Sequence, residues 1–368
     1  MTSSPSRPRK TPRVCFLCGN ISRSGGTERV ATVIAGALAE RGFEVSILSL
    51  SHGERAVFPL HPTVRLHSLH MERHSANFSD VRVWSRLRRF LKQNGIDRVV
   101  DVDMVLSWYS IPASWGTDAT VVAWEHFHLF VNVGDWPQRL RRYAGRRLAA
   151  RSAAAVVTLT EKDRRQYLRR LPGRAPVFAI PNPVTIAHDK RAPLDARLVL
   201  AAGRLVPQKG FDLLLEAWAQ LSSRRPGWRL RIVGSGPERA VLESQATRLD
   251  IALSVDFAPN TTDMASEFQR ASIFVFSSRF EGFGLVLVEA KSFGLPVVSF
   301  DCDCGPADIV RHEQDGLLAP KEDVGALASA LDRLMSDEQE RRQFGQIAFE
   351  DSRFALRHIL SQWERLLA

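Results

Sequence analysis

The chain has 368 residues, 45% of them apolar and 24% charged. This excludes a peptide scaffold and a wholly disordered chain and, at about 100 to 200 residues per domain, predicts two domains. The formal net charge of +10 points to an acidic partner such as nucleic acid, an anionic membrane or a phosphorylated ligand. That charge is unevenly placed: residues 1–180 hold 28 basic and 14 acidic side chains, and residues 181–368 hold 22 and 26.

The opening MTSSPSRPRKTPR is basic and Ser/Pro-rich without the apolar core of a secretory signal, and residues 1–12 read as a flexible tail. No run of about 18 apolar residues is present, which argues against a transmembrane helix. Apolar runs then alternate with helical-period stretches, the pattern of parallel β-α-β units. Residues 13–19 read as a strand, 26–42 as a helix and 43–50 as the next strand. Further strands are expected at 97–102, 120–125, 154–160 and 176–181, with helices near 79–94, 136–150 and 161–170.

Ile180-Pro-Asn-Pro-Val184 breaks the pattern and is the expected hinge. Beyond it, strands are expected at 197–203, 228–234, 253–258, 272–278 and 295–300, with a helical tail after 322. The last segment, 354–368, places Phe354, Leu356, Ile359, Leu360, Trp363, Leu366 and Leu367 on one face of an amphipathic helix.

Three loops carry candidate chemistry. Gly25-Gly26 sits between the first strand and first helix, where backbone N–H groups meet anions; read alone, it equally suits a plain turn. Gly203-Arg204-Leu-Val-Pro-Gln-Lys209-Gly210 lies at the carboxyl end of a strand, the ligand-binding edge of open α/β sheets. There Arg204 and Lys209 suit a diphosphate, or are ordinary surface charges. In Glu281-Gly-Phe-Gly-Leu-Val-Leu-Val-Glu289, a helical path separates the carboxylates by about 12 Å at 1.5 Å per residue, too far for a close acid/base pair. They suit the two ends of an elongated ligand such as a nucleotide sugar, with the amides of Phe283, Gly284 and Leu285 facing the diphosphate between. The alternative is an ordinary loop charge and a solvated helix charge.

Gly25-Gly26-x-Glu28, the G-R-L-x-x-x-K-G segment at 203–210, Val233-Gly-Ser-Gly-Pro237 and E-G-F-G-x-x-x-x-E at 281–289 followed by G-L-P-V-V resemble the retaining, GT-B-fold glycosyltransferases of family 4. The likeness runs in order along nearly the whole chain. The F-D-C-x-x-G-P stretch at 300–306 resembles bacterial enzymes of capsular, exopolysaccharide and lipopolysaccharide assembly. The resemblance implies two Rossmann-like domains facing each other across a cleft: 1–182 on the acceptor side, 183–351 for the donor, and a helix at 352–368 crossing back. It implies Arg204 and Lys209 on the donor diphosphate, Glu289 on the ribose, and Glu281 with the amides of Phe283 to Leu285 on the sugar and β-phosphate. Gly203 and Gly234 belong to the same donor loops, and Gly25 and Gly26 approach the phosphates from the other domain. His126, just after a strand, matches the active-site histidine; His128 is not assigned. Ala258 stands where the family pattern often has a glycine before the base-contacting loop.

The same likeness implies a nucleotide-sugar donor, UDP-linked, a lipid-linked or glycan acceptor, and neither cofactor nor metal. Asp101-Val-Asp103 and Asp301-Cys-Asp303 read as D-x-D but are taken as structural, and Cys15, Cys18, Cys302 and Cys304 as buried, inert thiols in a reducing, cytoplasmic compartment. The basic helical runs 81–92 and 136–151 suit an anionic membrane surface or, equally, pack their apolar stripe on the sheet with the arginines facing solvent. Nucleic acid is not expected, since no helix-turn-helix, RNP-like or zinc pattern accompanies them. The rival readings are an epimerase or hydrolase on the same scaffold, and a non-catalytic nucleotide-sugar-binding protein.

Overall fold

A computed structural model describes residues 11–51, 53, 55–71, 81–129 and 136–368. Most of the expected tail at 1–12 and the first two residues of the helix expected at 79–94 lie outside the described residues. The chain divides into two compact units, Met1–Leu159 with Asp163–Ile180 and Leu356–Ala368, and Thr160–Lys162 with Pro181–Ala355.

The first unit is built on a parallel sheet of β1 (Arg13–Cys18), β2 (Glu44–Ser49), β3 (Arg65–Ser68), β4 (Arg98–Asp101), β5 (Thr120–Trp124), β6 (Ala155–Thr158) and β7 (Val177–Ala179). Its strand order is β3-β2-β1-β4-β5-β6-β7. The helices are α1 (Gly26–Glu40), α2 (Val81–Asn94), α3 (Ser107–Ser114), α4 (Trp136–Ser152) and α5 (Glu161–Arg170). Burial on both faces explains why the strands read as unbroken apolar runs: Val14, Cys15, Phe16 and Leu17 are all buried. Two elements were not anticipated. β3 is a short edge strand with polar His67 and Ser68, and α3 carries Pro112 inside it, so neither shows a clean period.

The second unit repeats the plan with β8 (Leu198–Ala202), β9 (Arg229–Val233), β10 (Val255–Ala258), β11 (Ile273–Phe276), β12 (Val297–Asp301) and β13 (Gly316–Pro320), all parallel, in the order β10-β9-β8-β11-β12-β13. Its helices are α6 (Phe211–Ser222), α7 (Arg239–Arg248), α8 (Met264–Arg270), α9 (Leu285–Ser292), α10 (Pro306–Ile309), α11 (Val324–Ser336) and α12 (Glu338–Phe349). β13 also lies outside the strands expected from the sequence. α9 stops at Ser292, and Gly294 at φ +76° turns the chain out of helix.

Each sheet reverses its strand order beside its first strand, between β1 and β4 and between β8 and β11. Loops leaving the carboxyl ends of such neighbours diverge and open a crevice. The candidate loops of the second unit, after β8 and after β11, both leave that switch point. The last helix, α13 (Leu356–Leu367), belongs to the first unit and buries Ile359, Leu360, Trp363 and Leu367. Trp363 packs edge-on against Trp124 at the end of β5, with ring centroids 4.7 Å apart.

Candidate active site

At the second switch point the two loops are stitched together. Ser277 Oγ donates to the Lys209 carbonyl at 2.9 Å, Gln208 Nε2 to the Phe280 carbonyl at 3.0 Å, and the Arg279 amide to the Gln208 carbonyl at 2.8 Å. Arg279 also forks onto both carboxylate oxygens of Asp212 in the first turn of α6, at 2.7 and 2.6 Å. On this frame Lys209 Nζ donates to Glu281 Oε1 at 2.5 Å and lies 5.4 Å from the Phe276 ring centroid. The structure therefore pairs with each other two residues that the sequence reading assigned separately. Arg204 is exposed; its carbonyl accepts from the Val206 amide at 2.9 Å, and its side chain has no hydrogen bond or ion pair among the described residues.

Glycine makes this close approach possible. A Cβ on Gly234 would sit 1.9 Å from the Gly203 carbonyl oxygen. Gly284 caps α9 at φ +94°, a left-handed conformation that side chains disfavour, and so aims the first turn of α9. Phe283 is buried, and the loop containing Cys304 and Gly305 presses on it: a Cβ at Gly305 would meet the Phe283 carbonyl oxygen at 2.0 Å.

Glu289 faces a partner that the sequence did not reveal. Its Oε1 accepts from Thr185 Oγ1 at 2.5 Å, so the segment just after the Pro-Asn-Pro hinge holds its carboxylate. The same segment lies along α9, with His188 stacked on Phe293 at 3.6 Å and bonded to Ser292 Oγ at 2.9 Å. Two residues on, the buried Lys291 ammonium donates to Asp315, Asp351 and the Ile309 carbonyl at 2.9, 2.8 and 2.7 Å. This network anchors α9. Arg353 and Lys291 hold the Asp351 carboxyl well below the usual carboxylate range, against the opposing effect of its burial.

In the first unit, Gly25 caps α1 with an ordinary extended backbone, φ −89° and ψ 157°. Its lack of a side chain makes room for Glu28, whose Oε2 would lie 2.2 Å from a Cβ there. The Glu28 carboxyl thus lies beside the start of α1, and burial raises its pKa. Gly26 is the first residue of α1.

His126 follows β5, is buried, and its Nε2 has no hydrogen-bond partner among the described residues. Its ring lies 4.2 Å from that of Trp124. Burial pulls its pKa down to about 3, so the imidazole is neutral at ordinary pH.

The loop carrying His126 is clamped from α4. Arg146 Nε donates to Glu125 Oε2 at 2.6 Å, and its other nitrogens donate to the Leu129 and His128 carbonyls at 3.0 and 3.1 Å. Glu125 also accepts from Tyr167 Oη at 2.7 Å and from the Phe127 amide at 3.0 Å. Although burial opposes ionisation, Arg146 and Arg142 leave the Glu125 pKa lowered overall.

Three of the four D-x-D aspartates have structural partners. Asp101 accepts from Ser107 and Ser110 at 2.8 and 2.7 Å, and Asp103 caps the turn before α3 and takes a bidentate fork from Arg142 at 2.7 and 3.0 Å. Asp301 is exposed at the end of β12, and Asp303 pairs with Lys321 at 3.1 Å. The four cysteines are buried thiols, and burial pushes those of Cys15 and Cys302 up to about 12. Among the described residues no helix is long and apolar enough to cross a membrane.

Known proteins share this plan. Residues 25–183 match the glycosyl transferase 4-like domain, and residues 185–351 match the glycosyl transferases group 1. An uncharacterized glycosyltransferase of Haemophilus influenzae is 31% identical over 359 residues, covering 96% of this chain and 99% of that one. The amylovoran biosynthesis glycosyltransferase AmsD of Erwinia amylovora is 26% identical over 96% of this chain and 99% of its own. The crystal structure of HepE from Anabaena in complex with UDP-glucose superposes with a TM-score of 0.77 at 20% identity, over 96% of this chain and 99% of that one. That likeness establishes the GT-B fold. With both halves matched in order and a full-length relative above 30% identity, the chain belongs to the group 1 glycosyltransferases.

Proposed function

We propose that this glycosyltransferase moves a sugar from a UDP-linked donor to a lipid-linked or polysaccharide acceptor of the bacterial cell surface, with retention of anomeric configuration and without a metal ion. The observation that carries the reading is the Lys209–Glu281 pair at the switch point, beside the glycine-capped start of α9. Likeness to HepE, solved with UDP-glucose, supports the donor, and likeness to the amylovoran enzyme supports the acceptor class.

In this reading Arg204, Lys209 and the amides of Phe283, Gly284 and Leu285 take the diphosphate, together with the Gly203 and Gly234 loops. Glu281 orients the sugar and Glu289 the ribose. His126 is assigned to the sugar as a neutral hydrogen-bonding group, and Gly25 and Gly26 to the phosphates. The anomeric C–O bond breaks with its electron pair leaving on the β-phosphate oxygen. The acceptor oxygen bonds the same face of the carbon, and its proton passes to the departing phosphate. Charge builds on that phosphate in the transition state, where fixed cations and amides stabilise it more than in the ground state.

Thermal-shift screening against a panel of nucleotide sugars tests the donor, because a ligand that binds only the folded state raises apparent stability. UDP-sugars should raise the melting temperature, with or without EDTA. Product analysis then separates the rivals: transfer requires acceptor, whereas a hydrolase releases free sugar and an epimerase isomerises the donor without one.

A further inference from the structure

The helix that clamps the His126 loop has a second face. α4 carries six arginines and no acidic residue over its 17 residues. Arg142 and Arg146, one turn apart, point inward to Asp103 and Glu125. Trp136, Leu140, Tyr143 and Arg147 fall within about 60° of one another around the axis at 3.6 residues per turn. This is the outward side: Trp136 is 74%, Leu140 42% and Tyr143 50% exposed. Arg139, Arg147 and Arg151 are exposed around them, and the Arg147 guanidinium lies 5.0 Å from the Tyr143 ring centroid.

An ordinary surface helix does not present three large apolar side chains in one stripe. Tryptophan and tyrosine are suited to a surface that is apolar on one side and wet on the other, and arginines beside them suit one that is negatively charged. α3 packs against both α4 and α2. α2 adds exposed Arg82, Arg86, Arg89 and Lys92, again with no acidic residue in the helix. Charge of one sign, placed beside an aromatic stripe, fits the anionic face of a lipid bilayer.

We propose that the outward face of α4 is a membrane-docking surface, with Trp136, Leu140 and Tyr143 entering the headgroup region and Arg139, Arg147 and Arg151 pairing with anionic headgroups. Because the inward side of the same helix holds the His126 loop through Arg146, docking would seat that loop at a defined distance from the bilayer. The proposal goes beyond the transfer reaction, and its test contains no sugar nucleotide or acceptor, so failure of either reading is separately visible.

The test is co-sedimentation of the full chain with vesicles of phosphatidylcholine alone and of equimolar phosphatidylcholine and phosphatidylglycerol. The wild type should pellet with the anionic vesicles and remain in solution with the neutral ones. Replacing two arginines, Arg147→Gln with Arg151→Gln, should weaken partitioning about thirtyfold, at about one kcal/mol per basic residue near an anionic surface. Trp136→Ser with Tyr143→Ser should weaken it about tenfold or more, from the lost apolar burial. Melting temperatures within a degree or so of wild type would show that both variants fold. Equal binding to both vesicles, or wild-type binding by folded variants, would overturn the proposal. So would a lipid-free dimer that both variants dissociate, since a second copy would then cover the stripe.

Discussion

Lys209 and Glu281 are 72 positions apart in sequence, yet their side chains meet at 2.5 Å where the loops after β8 and β11 diverge. Neither group is surface decoration: each is largely buried, and each loop is bonded to the other's backbone. In the proposed reaction, a donor entering here would meet a cation already aimed by a carboxylate. Lys209→Ala should lower kcat by about 100- to 1,000-fold, the usual cost of one fixed transition-state charge donor. Glu281→Ala should fall in the same range, and the double variant should be little worse than either single one, because the pair acts as a unit. Steady-state kinetics on the three variants checks this, and additive losses would show two independent roles.

Thr185 is expected to position Glu289. Thr185→Val removes the hydroxyl that donates to its carboxylate, a charged hydrogen bond whose loss corresponds to about tenfold in affinity. The KM for donor should therefore rise about tenfold with kcat nearly unchanged, while Thr185→Ser should restore it. Equal loss in kcat and kcat/KM would instead place Thr185 in the chemical step.

Two buried groups give opposite pH dependences of stability. His126 has its pKa pulled from 6.5 to about 3 by burial, so the unfolded chain binds the proton more readily. Its contribution is full above pH 6.5 and is lost as the pH falls from there towards 3. Asp101 is pushed up from 3.8 to about 7 by burial, despite the two serine donors. The folded state holds this proton longer, and stability is lost as the pH rises from about 4 through 7. Denaturant midpoints against pH should lose the acid-side slope in His126→Asn and the neutral-side slope in Asp101→Asn. Because His126 stays neutral, no inflection from it should appear in kcat/KM between pH 5 and 8.

Arg146→Met leaves Glu125 without its nearest buried cation and frees the carbonyls of His128 and Leu129. Stripping one partner from a buried pair costs about 3 to 5 kcal/mol. Urea denaturation should show that loss, and adding Glu125→Gln should recover part of it by removing the stranded charge. Wild-type stability in Arg146→Met would mean that Arg142 and Tyr167 alone satisfy Glu125.

The parallel sheets were legible because buried strands such as Val14 to Leu17 are unbroken apolar runs, and the switch-point loops because glycine and charge follow such runs directly. β3 and α3 escaped because polar edge residues and Pro112 erase the period. The partners of the site residues were the larger omission. Thr185 lies 104 positions from Glu289, and Arg146 lies 21 from Glu125, so no local spacing announces either bond. At the glycine loop, the space that Gly25 leaves for the Glu28 carboxyl has no signature in residue spacing.

The central claim is tested most directly by the anomeric configuration of the transferred sugar. Purified chain, a UDP-α-linked sugar identified by the thermal-shift panel and an acceptor glycan should yield UDP and an α-linked product by proton NMR, unchanged by EDTA and lost in Lys209→Ala. A β-linked product, or undiminished transfer by Lys209→Ala, would contradict the account.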